Sequence, residues 1–73
     1  MLTVADLTKG AALAAVHGHF AAPGDARVVR VQLAKDGRTA GIWISSVIRC
    51  GVPTRRPNVW LVQCDPAAPI SLR

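Results

Sequence analysis

The chain has 73 residues, 51% hydrophobic and 18% charged, with nine Lys and Arg against four Asp and Glu for a net charge of +5. That composition excludes a disordered tail, and the length leaves no room for a second independent core. No stretch approaches the roughly 18 apolar residues needed to cross a bilayer, and the N-terminus lacks the basic and long apolar regions of a secretory signal, so the expected location is the cytoplasm.

The spacing over residues 3–17 predicts a helix. Thr3 is a cap residue, Asp6 stands three positions later where a carboxylate favours a helix N-terminus, and Val4, Leu7, Ala11, Ala14 and Ala15 follow one face. Gly18 supplies a C-terminal stop. Gly10 interrupts the run at a cost of about 1 kcal/mol relative to Ala, which leaves open a first turn separated from a second helix capped by Thr8. The segment Ala21-Ala22-Pro23-Gly24-Asp25 then reads as a turn.

From Arg27 to Leu33 the residues alternate, with Val29, Val31 and Leu33 on one face and Val28, Arg30 and Gln32 on the other. Asp36-Gly37 predicts a two-residue type I′ turn, because that turn needs positive φ at both central positions. With Lys35 facing Arg38, Leu33 faces Ala40, Val31 faces Ile42 and Val29 faces Ile44, so apolar residues meet across the ladder. The same register sets Arg30 opposite Trp43 as a cation–π pair or basic-aromatic platform.

The second strand runs through Ile44 towards Ile48, with Ser45 and Ser46 marking a polar stripe or a bulge. Residues 51–58, with two prolines in five positions, read as a loop, and Val59 to Cys64 as a short third strand. Pro66 and Pro69 argue against a further regular element, leaving Ile70 and Leu72 to pack back on the sheet or dock on a neighbour. The expected fold is therefore one α+β domain over residues 1–73, an N-terminal helix packed on a three-stranded antiparallel β-meander. Most large apolar side chains follow residue 27, which puts the core mainly in the C-terminal two thirds. A chain this short buries only roughly 60% of its unfolded surface, which leaves homodimerisation open.

Four residues, His17, His19, Cys50 and Cys64, make a nominal zinc set, but paired ligands normally stand two to four residues apart and the cysteines are separated by thirteen. On the expected hairpin Cys50 lies near Val59 and Cys64 on the order of 17 Å away, so neither a disulfide nor a metal pair is expected. Two cysteines are also too few for a disulfide framework, which suits a reducing compartment. No cofactor is expected. Asp6, Asp25, Asp36 and Asp65 are the only acids, there is no nucleophile motif or phosphate-cradling glycine pattern, and a single-layered chain has little room for a pocket. The expectation is a non-enzyme.

Seven of the nine basic residues are arginine, which suits bidentate contacts to phosphate or carboxylate. Arg55-Arg56, braced by prolines, would present two guanidinium groups at low entropy cost, although a solvated loop tip has the same residues. Together with Arg27, Arg30, Arg38, Arg49 and Trp43 they would form a basic face containing an aromatic, the combination that stacks bases beside a phosphate groove. The expected function is thus a small basic binding protein with nucleic acid as partner. The competing expectation is a protein-binding accessory factor, such as a phage- or plasmid-encoded inhibitor docking on the acidic surface of a nucleic-acid-handling complex, with the same Trp and Arg as hot spots.

Overall fold

The computed structural model describes all 73 residues. The chain runs through a 3-10 turn at Val4–Asp6 and six strands: β1 (Leu13–Val16), β2 (Phe20–Ala21), β3 (Arg27–Leu33), β4 (Ala40–Arg49), β5 (Val52–Cys64) and β6 (Ile70–Leu72). They form two three-stranded antiparallel sheets, ordered β2-β1-β6 and β3-β4-β5.

The expected helix-on-meander fold is overturned. A meander exists, as one of two sheets, and no helix packs on it. Thr3 and Asp6 do make the capping contact read from the sequence, with the Asp6 carboxylate accepting the Thr3 N–H at 2.8 Å and its hydroxyl at 3.1 Å, but they cap a single turn. Gly10 then takes φ +91°, where a right-handed helix cannot continue.

The fully buried residues of this segment are Leu13 and Val16, neither of them on the predicted helix face. Leu13 pairs with Leu72 and Ala15 with Ser71, so β1 carries one extra residue against β6. That bulge puts two residues three apart on one face, and both are fully buried. The tail also departs from expectation, since Ile70–Leu72 is a regular strand completing the sheet on β1. Pro69 precedes it and accepts the His17 N–H through its carbonyl, a role that needs no proline donor.

In the other sheet Leu33 faces Ala40, Val31 faces Ile42 and Arg30 faces Trp43, as the alternation predicts. The turn that sets this register is not the expected type I′. Only Gly37 has positive φ; Gly37 N–H bonds the Ala34 carbonyl at 3.0 Å and Ala34 N–H bonds that of Thr39 at 2.9 Å, giving a four-residue loop with the same pairing. The two-residue turn with both φ positive is instead Cys50-Gly51, at +51° and +78°, between Arg49 and Val52. Residues 51–58, expected as a loop, belong almost entirely to β5.

A second bulge, at Val29, corrects the remaining pairing. Val28, not Val29, faces Ile44 and is buried, while Val29 is exposed. Six of the thirteen buried core residues precede residue 27: Val4, Leu7, Leu13, Val16, Ala22 and Ala26. The core is therefore shared between both sheets, and Leu33, expected within it, is 51% exposed at its end.

Candidate functional site

Strand alternation gives the β3-β4-β5 sheet two faces. Ala40, Ile42, Ile44 and Ser46 turn inward and are buried, whereas Gly41, Trp43 and Ser45 turn away from the core. Across the ladder the outward set gains Arg30 and Gln32 from β3, and Val59, Leu61 and Gln63 from β5. No helix lies over Trp43, which is half-buried on its strand.

The Arg30 guanidinium stands over the Trp43 ring at 5.1 Å from its centroid. Gly41 makes this platform flat: a side-chain carbon there would sit 3.1 Å from Leu61 Cδ1 and 3.4 Å from Trp43 Cζ3. The indole and the leucine thus lean over bare backbone. Beside them runs a shallow groove of about 160 Å³, rimmed by the amide side chains of Gln32 and Gln63. Sequence reasoning missed these amides and Leu61, although the predicted register already aligned Gln32 with Gly41.

The Val29 bulge also brings Arg27, opposite Ser45, onto the same face as Arg30. Without the extra residue, positions three apart would face opposite ways. Arg27 donates to the Gly10 carbonyl at 3.4 Å and remains exposed.

Arg55 and Arg56 lie on a larger bulge. Ser46 pairs with Asn58 and Ile48 with Pro53, so residues 54–57 loop out of the ladder. Thr54 closes the loop by donating to the Val47 carbonyl at 2.7 Å, and Asn58 Nδ2 braces it by donating to Thr54 Oγ1 at 3.0 Å. Both arginines are exposed at this end of the sheet. Arg38 is exposed in the β3–β4 turn at the opposite end, about 20 Å away along β4 at strand rise. Arg49 flanks the Cys50-Gly51 turn and lines a separate cleft of about 480 Å³ with Phe20, Pro23, Ile48 and Trp60. Of the seven candidates, Arg27, Arg30 and Trp43 come together on one face, Arg55 and Arg56 are exposed on the bulge at one end of the sheet with Arg49 beside the adjoining turn, and Arg38 stands at the opposite end. This cleft between the sheets also removes the expectation that a single-layered chain lacks room for a pocket.

Two of the four acids are held in local hydrogen bonds. Ser46 Oγ and the Val47 N–H hold the Asp25 carboxyl below the ordinary carboxylate range, and the Thr3 N–H does the same for Asp6. Cys50 and Cys64 carry free thiols, the first exposed and the second buried. Burial, and then the neighbouring Asp65 charge, push the Cys64 thiol up. His17 Nε2 lies 2.6 Å from Ser71 Oγ, and no group of three or more His, Cys, Asp or Glu side chains is placed to hold a metal ion. No helix is long and apolar enough to cross a membrane.

Compared with protein-family models, curated proteins and solved structures, the chain matches none.

Proposed function

We propose that the protein binds nucleic acid on the outer face of the β3-β4-β5 sheet, without catalysing a reaction. The observation that carries this reading is the Arg30–Trp43 stack on an uncovered sheet face. A guanidinium stacked on an indole presents a flat cationic surface on which any base can stack, and adjacent arginines neutralise the phosphates that accompany it. Gln32 and Gln63 add neutral donors and acceptors at the rim of the groove, where a base edge can bond them. Arg27 on the same face and the exposed Arg55-Arg56 bulge at the end of the sheet add further positive charge for phosphates. The net charge of +5 favours such a polyanion at long range, and two free thiols suit the reducing cytoplasm.

A second reading has its own observation. Val59 and Leu61, at 57% and 45% exposure, make part of the same face aliphatic, which fits a protein partner using Trp43 and Arg30 as hot spots. Titration of labelled single- and double-stranded DNA and RNA over a salt series separates the two. Nucleic-acid binding gives log affinity that falls linearly in log salt and quenches tryptophan fluorescence. Absence of any anisotropy change at low salt, where phosphate contacts are strongest, rejects the nucleic-acid reading and leaves the protein-binding one.

A further inference from the structure

The β3-β4-β5 sheet ends on β5, and its free edge is unlike the others in the molecule. None of the backbone hydrogen bonds made outside the strand ladders reaches residues 52–64, and the one side-chain bond to a β5 carbonyl is that of Thr54 to Arg56 within the bulge, so the outward N–H and C=O groups of residues 58–64 have no partner within the chain. Other edges are blunted. β3 is bulged, carries Arg27 and Arg30, and has its start bonded to Gly10 and Ala11. β2 is two residues long, and β6 donates the Ile70 N–H to Leu2. By contrast residues 58–64, Asn-Val-Trp-Leu-Val-Gln-Cys, contain no charge, proline or bulge. An unprotected apolar edge of this kind is a template for another strand.

We propose that this edge pairs antiparallel with β5 of a second copy, joining two molecules into a six-stranded sheet. The sequence around Leu61 is self-complementary in that arrangement. A two-fold axis normal to the sheet at Leu61 sets Leu61 against Leu61, Trp60 against Val62 and Val59 against Gln63. Trp60 and Val62 both lie on the inward, half-buried face, so the pairing covers apolar surface on both sides of the seam. The Arg55-Arg56 bulge leaves the paired stretch at the end where Asp65 follows Cys64 of the second copy, whereas a parallel in-register pairing would set the arginine pairs against each other. Because a normal two-fold preserves faces, the two Arg30–Trp43 platforms share one surface. The pairing itself does not depend on what that surface binds.

The test is the solution mass of the full chain without nucleic acid, in a Cys50→Ser background that removes the exposed thiol. Light scattering is expected to give twice the chain mass of 7.7 kDa. Leu61→Lys sets two ammonium groups against each other at the axis and is expected to halve that mass with an unchanged circular dichroism spectrum, since Leu61 is on the surface. Leu61→Cys is expected to form a covalent dimer on mild oxidation, because directly opposed residues of an antiparallel pair lie about 4.5–5.5 Å apart at Cα, within disulfide range. Val52→Cys is expected to form none. A monomeric parent chain at millimolar concentration overturns the proposal, as does a dimer in which Leu61→Cys fails to cross-link. Should Leu61→Lys not fold, the cross-link alone decides.

Discussion

Asp25 and Ser46, twenty-one residues apart, are joined by a hydrogen bond from the serine hydroxyl to the aspartate carboxylate. The same carboxylate accepts the Val47 N–H at 2.8 Å, and the buried Ser46 Oγ accepts the Ile48 N–H at 2.9 Å. One acid thus ties the loop after β2 to the point where β4 meets the Arg55-Arg56 bulge. It anchors the end of the candidate site.

Acid sensitivity follows from this contact. The folded pKa of Asp25 lies below its ordinary value of 3.8, first through Ser46 and then through Val47, and that of Asp6 is lowered through Thr3. Such groups contribute stability above the unfolded pKa, and the contribution is lost as pH falls through the folded one. Thermal melts are expected to hold steady from pH 7 to about 5 and to fall below about pH 4, in the ordinary carboxylate range. Asp25→Asn should lower the melting temperature at pH 7 and flatten that decline. An unchanged pH profile in this variant would remove Asp25 as a cause.

Ile42 and Val31 are cross-strand neighbours of unequal weight. Ile42 is fully buried between the sheets, whereas Val31 is half-buried at the edge of the core. Ile42→Ala is expected to cost about 3 to 5 kcal/mol in urea unfolding and Val31→Ala about 1 kcal/mol, because a cavity between two sheets cannot collapse as a half-exposed site can. Equal costs would contradict the placement of Val31.

Cys50 is the one residue other than glycine with positive φ, at +51°. A Cβ-bearing residue is disfavoured there, and asparagine before glycine is the preferred pair for a turn with both φ positive. Cys50→Asn is expected to raise stability by about 0.5 kcal/mol, read as a higher urea midpoint at constant slope.

At the proposed nucleic-acid face, arginine and tryptophan should act differently. Replacing Arg55 and Arg56 together by alanine is expected to reduce the slope of log affinity on log salt by roughly 1.4 to 1.8, since each phosphate contact contributes about 0.7 to 0.9. Trp43→Ala should cost on the order of 1 to 3 kcal/mol with the slope unchanged, because stacking releases no counterions. A Trp43→Ala variant that binds as tightly as the parent would move the site off this face.

The pairing of β3 with β4 around Val31–Ile42 and Arg30–Trp43 can be read from the chain alone. Alternation of period two is local, and the same register closes through a four-residue loop as through a two-residue turn, so an error in turn type left it intact. Thr3 and Asp6 were legible as a cap for the same reason. Whether residues 13–16 become helix or strand is set by contacts distant in the chain. Their partner β6 arrives more than fifty residues later, and its hydrogen bonds and the Leu13–Val16 bulge overrode the weak local preference of an alanine-rich segment broken at Gly10. The bulges at Val29 and at residues 54–57 belong to the same class. Each inserts residues against a partner strand, which changes the face of every side chain beyond it, and that choice is made by how the two sheets fill their shared core.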